Sequence, residues 1–239
     1  LEIRCCPNLT FIPDLHSLTS LLEFTIVGCV KLVCLSNKLE TLVSPKVLSI
    51  SYCPNLRAIP DLRSLTSLQQ LQILQCEKLA TYWAEGLLCL TALEYLGIGG
   101  FSEELDYFPW PLENVTQRLL SLRNLLLYGG PNLKSLPEQL QHLTFLEVLM
   151  ISDFERLEAL PDWLGNLSSL RRLALWNCNK LVNLPTLEVM QRLTNLGYLK
   201  ITGCQLLKER CTMESGPEWY KIARIPQIEI DEQIIQSLD

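Results

Sequence analysis

An apolar motif, Leu-x-x-Leu-x-Ile-x-x-Cys or a close variant, returns about every 24 residues through almost the whole chain. Aligned on its central residue, the motif places Ile3, Ile26, Ile50, Ile73, Ile98, Leu127, Ile151, Leu175 and Ile201 at equivalent positions, with spacings of 23, 24, 23, 25, 29, 24, 24 and 26. Within a copy, Leu149 and Ile151 alternate around Met150, the period of a strand with one face turned inward. Leu157, Leu160, Leu164, Leu167 and Leu170 then return at helix-like spacing to cover that face. No single copy can bury its own apolar side, so neighbours must stack.

Periods of roughly 20–29 residues with this leucine pattern are the signature of leucine-rich repeats. The expected fold is an α/β leucine-rich-repeat solenoid, a curved horseshoe of about nine repeats with a parallel β-sheet on its concave face. Pro13, Pro60, Pro137, Pro161 and Pro185 recur at one outer position and remove backbone donors there. The outer segments are therefore expected to be short and irregular or 3₁₀. Residues 1–202 form the repeats, the first truncated and the one near 98–126 irregular and long, and 203–239 form a C-terminal cap. The 239 residues, 48% apolar, can bury one long core. Leu1 already lies in a strand core, with no initiator Met and no polar cap before it, so the chain reads as the C-terminal piece of a longer polypeptide. No apolar run approaches the roughly 20 residues of a membrane-spanning helix.

Six of the ten cysteines, Cys6, Cys29, Cys53, Cys76, Cys178 and Cys204, fall three residues after the strand core. That is the turn slot where such repeats carry Asn or Cys, a small group able to bond weakly to nearby backbone. Phe101, Gly130 and Phe154 hold the same slot elsewhere, exchanges that a disulfide ladder would not tolerate. Reduced structural thiols, and with them an intracellular location, are expected. Asn-x-Ser/Thr triplets at Asn8, Asn114 and Asn166 favour the opposite compartment.

The segments CPNLRAIPDLRSLTSLQQLQI (53–73) and NKLVNLP (179–185) resemble the C-terminal repeats of plant intracellular nucleotide-binding leucine-rich-repeat (NB-LRR) disease resistance proteins of the coiled-coil class. The tail from Gly203 to Cys211, followed by Gly216–Asp231 with Trp219, Ile222, Ile225, Ile228 and Ile230, is similar to that family's C-terminal end. The resemblance implies a non-catalytic recognition and autoinhibitory domain of a cytoplasmic or nucleo-cytoplasmic immune receptor. Its protein partners would be a pathogen effector, a monitored host protein or the receptor's own nucleotide-binding domain. No Gly-x-x-x-x-Gly-Lys-Ser/Thr loop occurs, so this stretch needs no cofactor, and ADP or ATP would bind upstream of Leu1. The rivals are the substrate-recruiting repeats of an F-box ubiquitin ligase and an extracellular receptor ectodomain.

An enzyme finds little support, since the two histidines, His16 and His142, adjoin outer segments and Glu103-Glu104 and Asp231-Glu232 lack a partner base. A net charge of −6 without a basic cluster disfavours nucleic acid as the main ligand. Function then rests on the outward residues of the concave face. These turn aromatic and basic in the second half: Tyr95, Arg123, Tyr128, Met150, Arg171, Arg172, Trp176, Tyr198 and Lys200. The long fifth interval adds Tyr107, Phe108 and Trp110 as possible loop contacts. In the cap, Glu218, Glu229, Asp231 and Glu232 are expected to face water, and Cys211, flanked by Lys208 and Arg210, to be a partly buried packing residue.

Overall fold

The computed structural model describes residues 1–13, 15, 18, 20–35, 45–110 and 118–238, the side chains of 81–83 aside. His16 and the Asn114 triplet lie outside them. Two compact units are formed, one by residues 1–103 and 109–122, the other by 104–108 and 123–239.

In the first unit, strands β1 (Glu2–Arg4), β3 (Glu23–Val27), β5 (Val47–Ser51), β6 (Gln70–Leu74) and β7 (Tyr95–Gly99) pair in parallel. The register sets Ile3 against Ile26, Ile26 against Ile50, Ile50 against Ile73 and Ile73 against Ile98. A second short ladder runs between β2 (Phe11–Ile12) and β4 (Cys34–Leu35) and is extended by a bridge from Cys34 to Ala58. In the second unit β8 (Asn124–Tyr128), β9 (Val148–Ser152), β10 (Arg172–Trp176), β11 (Tyr198–Thr202) and β12 (Gln227–Ile230) are parallel. There Leu127, Ile151, Leu175, Ile201 and Ile230 form one column. β13 (Gln233–Ser237) then turns back antiparallel along β12.

These columns are the core: Ile26, Ile50, Ile73, Leu127, Ile151, Leu175 and Ile201 are all 0% exposed. Each such side chain contributes roughly 1.5–3 kcal/mol of burial. Every strand needs both neighbours to achieve it. The outer leucines 157, 160, 164, 167 and 170 are buried against the inner ones. Outer segments are short 3₁₀ turns at Thr81–Cys89, Glu138–His142 and Asp162–Asn166. Pro137 and Pro161 stand immediately before two of them, extended, and their carbonyls accept the amides of Leu140 and Leu164. Helix α1 (Leu187–Arg192) forms where Thr186 follows the proline instead, because its hydroxyl accepts the Val189 amide as an N-cap.

The strand exits share a conformation. Two residues past the core position, Cys5, Gly28, Tyr52, Gln75, Gly100, Asp153, Asn177 and Gly203 have φ between 49° and 69°, the left-handed region. This kink lets the amides of Cys5, Gly28, Tyr52, Gln75, Asp153 and Asn177 bond the next repeat's last strand carbonyl, at 2.8–3.0 Å. One residue later the cysteine thiols turn inward. Sγ of Cys6, Cys29, Cys53, Cys76, Cys178 and Cys204 each donates to the carbonyl two residues back, at 3.4–3.8 Å.

The cap continues the pattern and then changes it. Ile228 and Ile230 take the two core positions of β12, and Trp219, Ile222 and Ile225 are buried. Asp231 Oδ1 accepts the Gly203 amide at 2.9 Å, standing in for the carbonyl used in earlier repeats. Its other oxygen takes Lys208 at 2.6 Å, and this pairing holds the Asp231 carboxyl below its usual range. Helices α2 (Gln205–Arg210) and α3 (Trp219–Ile222) carry the remaining contacts. Glu218 does not face water: it is 3% exposed, pairs with Lys221 at 2.8 Å and Arg210 at 3.5 Å, and accepts the Leu184 amide at 2.8 Å. Lys221 in turn donates to the Leu184 carbonyl at 3.3 Å, so both backbone polar groups of one residue of the eighth repeat are held by the cap. Cys211 is fully buried, and burial pushes its thiol up to about 12, far from reactive thiolate character.

Three substitutions test this account by chemical denaturation. Gly203→Ala should cost roughly 1–2 kcal/mol, because φ is +66° and a Cβ would lie 2.4 Å from Asn177 Oδ1. Gly130→Ala, with open space around it, should be near neutral. Glu218→Ala removes the carboxylate partner of the largely enclosed Lys221 ammonium and the acceptor of the Leu184 amide, and should cost about 3 kcal/mol.

Candidate protein-contact face

The outward residues of the second unit form three rows fixed by register. One row runs Asn124, Val148, Arg172, Tyr198, Gln227; the next Leu126, Met150, Ala174, Lys200, Glu229; the third Tyr128, Ser152, Trp176, Thr202. Five of the nine residues singled out in the sequence, Met150, Arg172, Trp176, Tyr198 and Lys200, occupy neighbouring strands β9 to β11, with Tyr128 on β8. Arg172 lies over the Tyr198 ring, 5.6 Å from its centroid. Tyr198 donates its hydroxyl proton to Glu229, 2.5 Å away, and burial together with this bond raises its pKa. Lys200 is held between Glu229 at 2.8 Å and Glu232 at 3.1 Å. Both carboxylates raise the Lys200 pKa, and Lys200 foremost lowers that of Glu229.

Lys200 and Tyr198 are thus engaged by the cap, and Glu229, expected to face water, completes the face by joining them. Arg123 and Arg171 differ from expectation as well. Each stands one residue before its strand, where the backbone carbonyl rather than the side chain meets the next repeat. Their guanidinium groups approach Glu147 from either side, both at 3.8 Å, and Arg123 also lies over Phe145 at 5.6 Å. They flank the face without being part of its rows. The freest bulky groups are Arg172, exposed, and Trp176 and Met150, half-buried. Ala174 between them is 7% exposed, a shallow floor walled by larger neighbours. Its small side chain gave no signal in the sequence, because an alanine among leucines reads as core.

Tyr95 belongs to the first unit. It is half-buried across its own strand, its hydroxyl 3.1 Å from where a Cβ at Gly97 would stand, and burial raises its pKa. The loop residues separate. Phe108 is withdrawn from the contact set, since it is buried and stacks on Phe154 with centroids 6.0 Å apart. Phe154 is the aromatic replacement in the cysteine slot, and its ring needs the space beside Gly129, where a Cβ would come within 2.6 Å. Trp110 is half-buried, with Nε1 enclosed and unbonded among the described residues. Tyr107 alone remains open, at 63% exposure.

Among the described residues no three His, Cys, Asp or Glu side chains gather as a metal site would require, and no helix is long and apolar enough to cross a membrane. His142 is exposed at the end of an outer turn. Asn166 is committed on the outer surface, donating to Gln141 at 3.3 Å and accepting from Arg192 at 2.5 Å.

The pH dependence of this face follows from Glu229. Its pKa is lowered in the folded state, so the stability it contributes is present above the ordinary carboxylate value of about 4.3 and lost as pH falls through the lower folded value. The thermal midpoints of wild type and Glu229→Gln should therefore differ near pH 6 and converge below that folded value.

No protein-family model and no curated protein matches this sequence. Among solved structures, the leucine-rich repeat domain of the type III effector XopL is similar at 28% identity and a TM-score of 0.65, over 87% of this chain and 70% of that one. A leucine-rich-repeat protein of Leptospira interrogans aligns at 23% identity over 93% of this chain and 69% of that one, but with a TM-score of 0.38, too low to bear on the fold. The chain has a leucine-rich-repeat fold, a scaffold that typically binds proteins and is typically non-catalytic.

Proposed function

We propose that this chain is a protein-recognition domain that contacts its partner through the outward face of β8 to β11. The observation that carries this reading is the placement of Arg172, Trp176 and Met150 around the low floor at Ala174. Large aromatic and guanidinium groups beside a recess are the residue types that dominate binding energy, because they bury much area for few frozen rotors. The cap contributes by fixing Tyr198 and Lys200 in place, which lowers the ordering cost of binding.

The finer reading is a sensing and autoinhibitory role in a cytoplasmic plant immune receptor. Its support is the resemblance of 53–73, 179–185 and the 203–231 tail to the C-terminal repeats of that class. In this role the face contacts either an effector, a monitored host protein or the receptor's own nucleotide-binding domain. Signalling requires that the ligand favour one of two states, since binding both equally shifts nothing.

The test begins with the coding sequence upstream of Leu1, where a phosphate-binding loop is expected and an F-box or a signal peptide would overturn the receptor reading. Trp176→Ala and Arg172→Ala are then introduced into the full receptor. Loss of effector response marks ligand contact, and activity without effector marks lost autoinhibition. Unchanged behaviour of both variants would remove this face as the contact surface.

A further inference from the structure

A second surface of the second unit lies just past the strand exits, outside the rows described above. A groove of about 500 Å³ there is lined by Lys134, Arg156, Glu158, Ala159 and Lys180. Its floor is continuous across two repeats, because Glu158 O accepts the amides of Val182 and Asn183 at 2.8 and 3.1 Å, and Ala159 pairs with Asn183. Three cations and one carboxylate line it, in a chain whose net charge is −6.

The first unit shows what this position does when it is only structural. Five residues past the strand core the column reads Asn8, Lys31, Asn55, Lys78 and Glu103. Lys31 donates to Asn8 Oδ1 at 3.1 Å and Lys78 to Asn55 Oδ1 at 2.8 Å, so each cation has an acceptor in the preceding repeat. In the second unit the same column reads Asn132, Arg156, Lys180. Here two cations follow one another in adjacent repeats, and Lys134 projects from the repeat before. All three are exposed, and among the described residues no hydrogen bond or ion pair holds their side chains. Like charges in neighbouring repeats repel, and the single carboxylate of Glu158 leaves the groove lined by an excess of positive charge.

We propose that this groove binds an acidic segment of a protein partner, its carboxylates taken by Arg156, Lys180 and Lys134. The planar fork of Arg156 matches a carboxylate in two parallel bonds, and the lysines add charge without directional demand. Glu158 sets the preference. Its fixed negative charge opposes a dense polyphosphate, yet accepts a main-chain amide from a peptide whose own charges are spread out. A positive recess in an acidic molecule also orients such a segment as it approaches.

The test uses the whole chain and fluorescein-labelled hexaglutamate, followed by fluorescence anisotropy. Saturable binding is expected, weakening with added salt. It should fall about tenfold in Arg156→Ala/Lys180→Ala, and Arg156→Lys should retain part of it. Lys31→Ala/Lys78→Ala, which removes the amide-capped cations, and Trp176→Ala, on the strand face, should each leave it within about twofold. The exposed positions allow the unfolding midpoint to stay unchanged, which separates lost binding from lost folding. No saturable binding, an equal loss in the Lys31/Lys78 variant, or tighter binding of tripolyphosphate or a uridine hexamer than of the peptide would each overturn the proposal. Because Trp176 is not part of this groove, its failure and that of the strand-face reading are told apart.

Discussion

Parallel pairing in constant register is the constraint on which the rest of this structure depends. Setting Ile26 against Ile50, or Leu175 against Ile201, stacks identical inward positions into a column that excludes water entirely. Because the side-chain period along a strand is two, a slip of one residue would carry the whole inward set to the outside. The same register places Arg172 beside Tyr198 and Met150 beside Ala174. Burial thus decides not only stability but which outward residues become neighbours.

The left-handed residue at eight of the strand exits is the second feature of the repeat, and at six of them it precedes the thiol that turns inward; Gly129, at the β8 exit, makes the same amide bond to Ser152 without it. At the left-handed turn the residue's own amide and the cysteine Sγ one residue later both find carbonyl acceptors. Five of these sites carry Gly, Asn or Asp, which take that conformation readily, but Tyr52, Gln75 and Cys5 adopt it too. At Tyr52 and Gln75 the ladder on both sides, and at Cys5 the pairing with β3, holds the conformation against intrinsic preference.

The repeats were legible in the sequence because their signal is long-range and redundant: nine aligned core residues and a recurring proline state the same period many times. The short outer turns followed from those prolines. Details fixed by a single contact were not legible. Glu218 looked like surface charge because nothing in its neighbourhood announces that Leu184, 34 residues earlier, supplies its donor. Phe108 looked like a loop aromatic until Phe154, in the following repeat, gave it a ring to stack on. Arg123 and Arg171 adjoin outward strand residues in the sequence, whereas the strands begin one residue later. Of the proposed face, residue types were readable and the rows were not, since rows depend on register and on Lys200 being held by a cap whose strand β12 has no repeat motif of its own.

The grip of Glu218 and Lys221 on Leu184 changes how this end of the molecule can open. In an ideal repeat stack each unit touches only its neighbours, so the last unit frays alone and the next follows. Here the cap reaches past the ninth strand to the outer segment of the eighth repeat, and α3 packs on α1 as well. β11 is enclosed between two elements fastened to each other. Local opening at this end must therefore release the eighth outer segment, β11 and the cap in one cooperative step. The amide proton of Leu184, although outside any regular element, should exchange with solvent as slowly as those of the central strands.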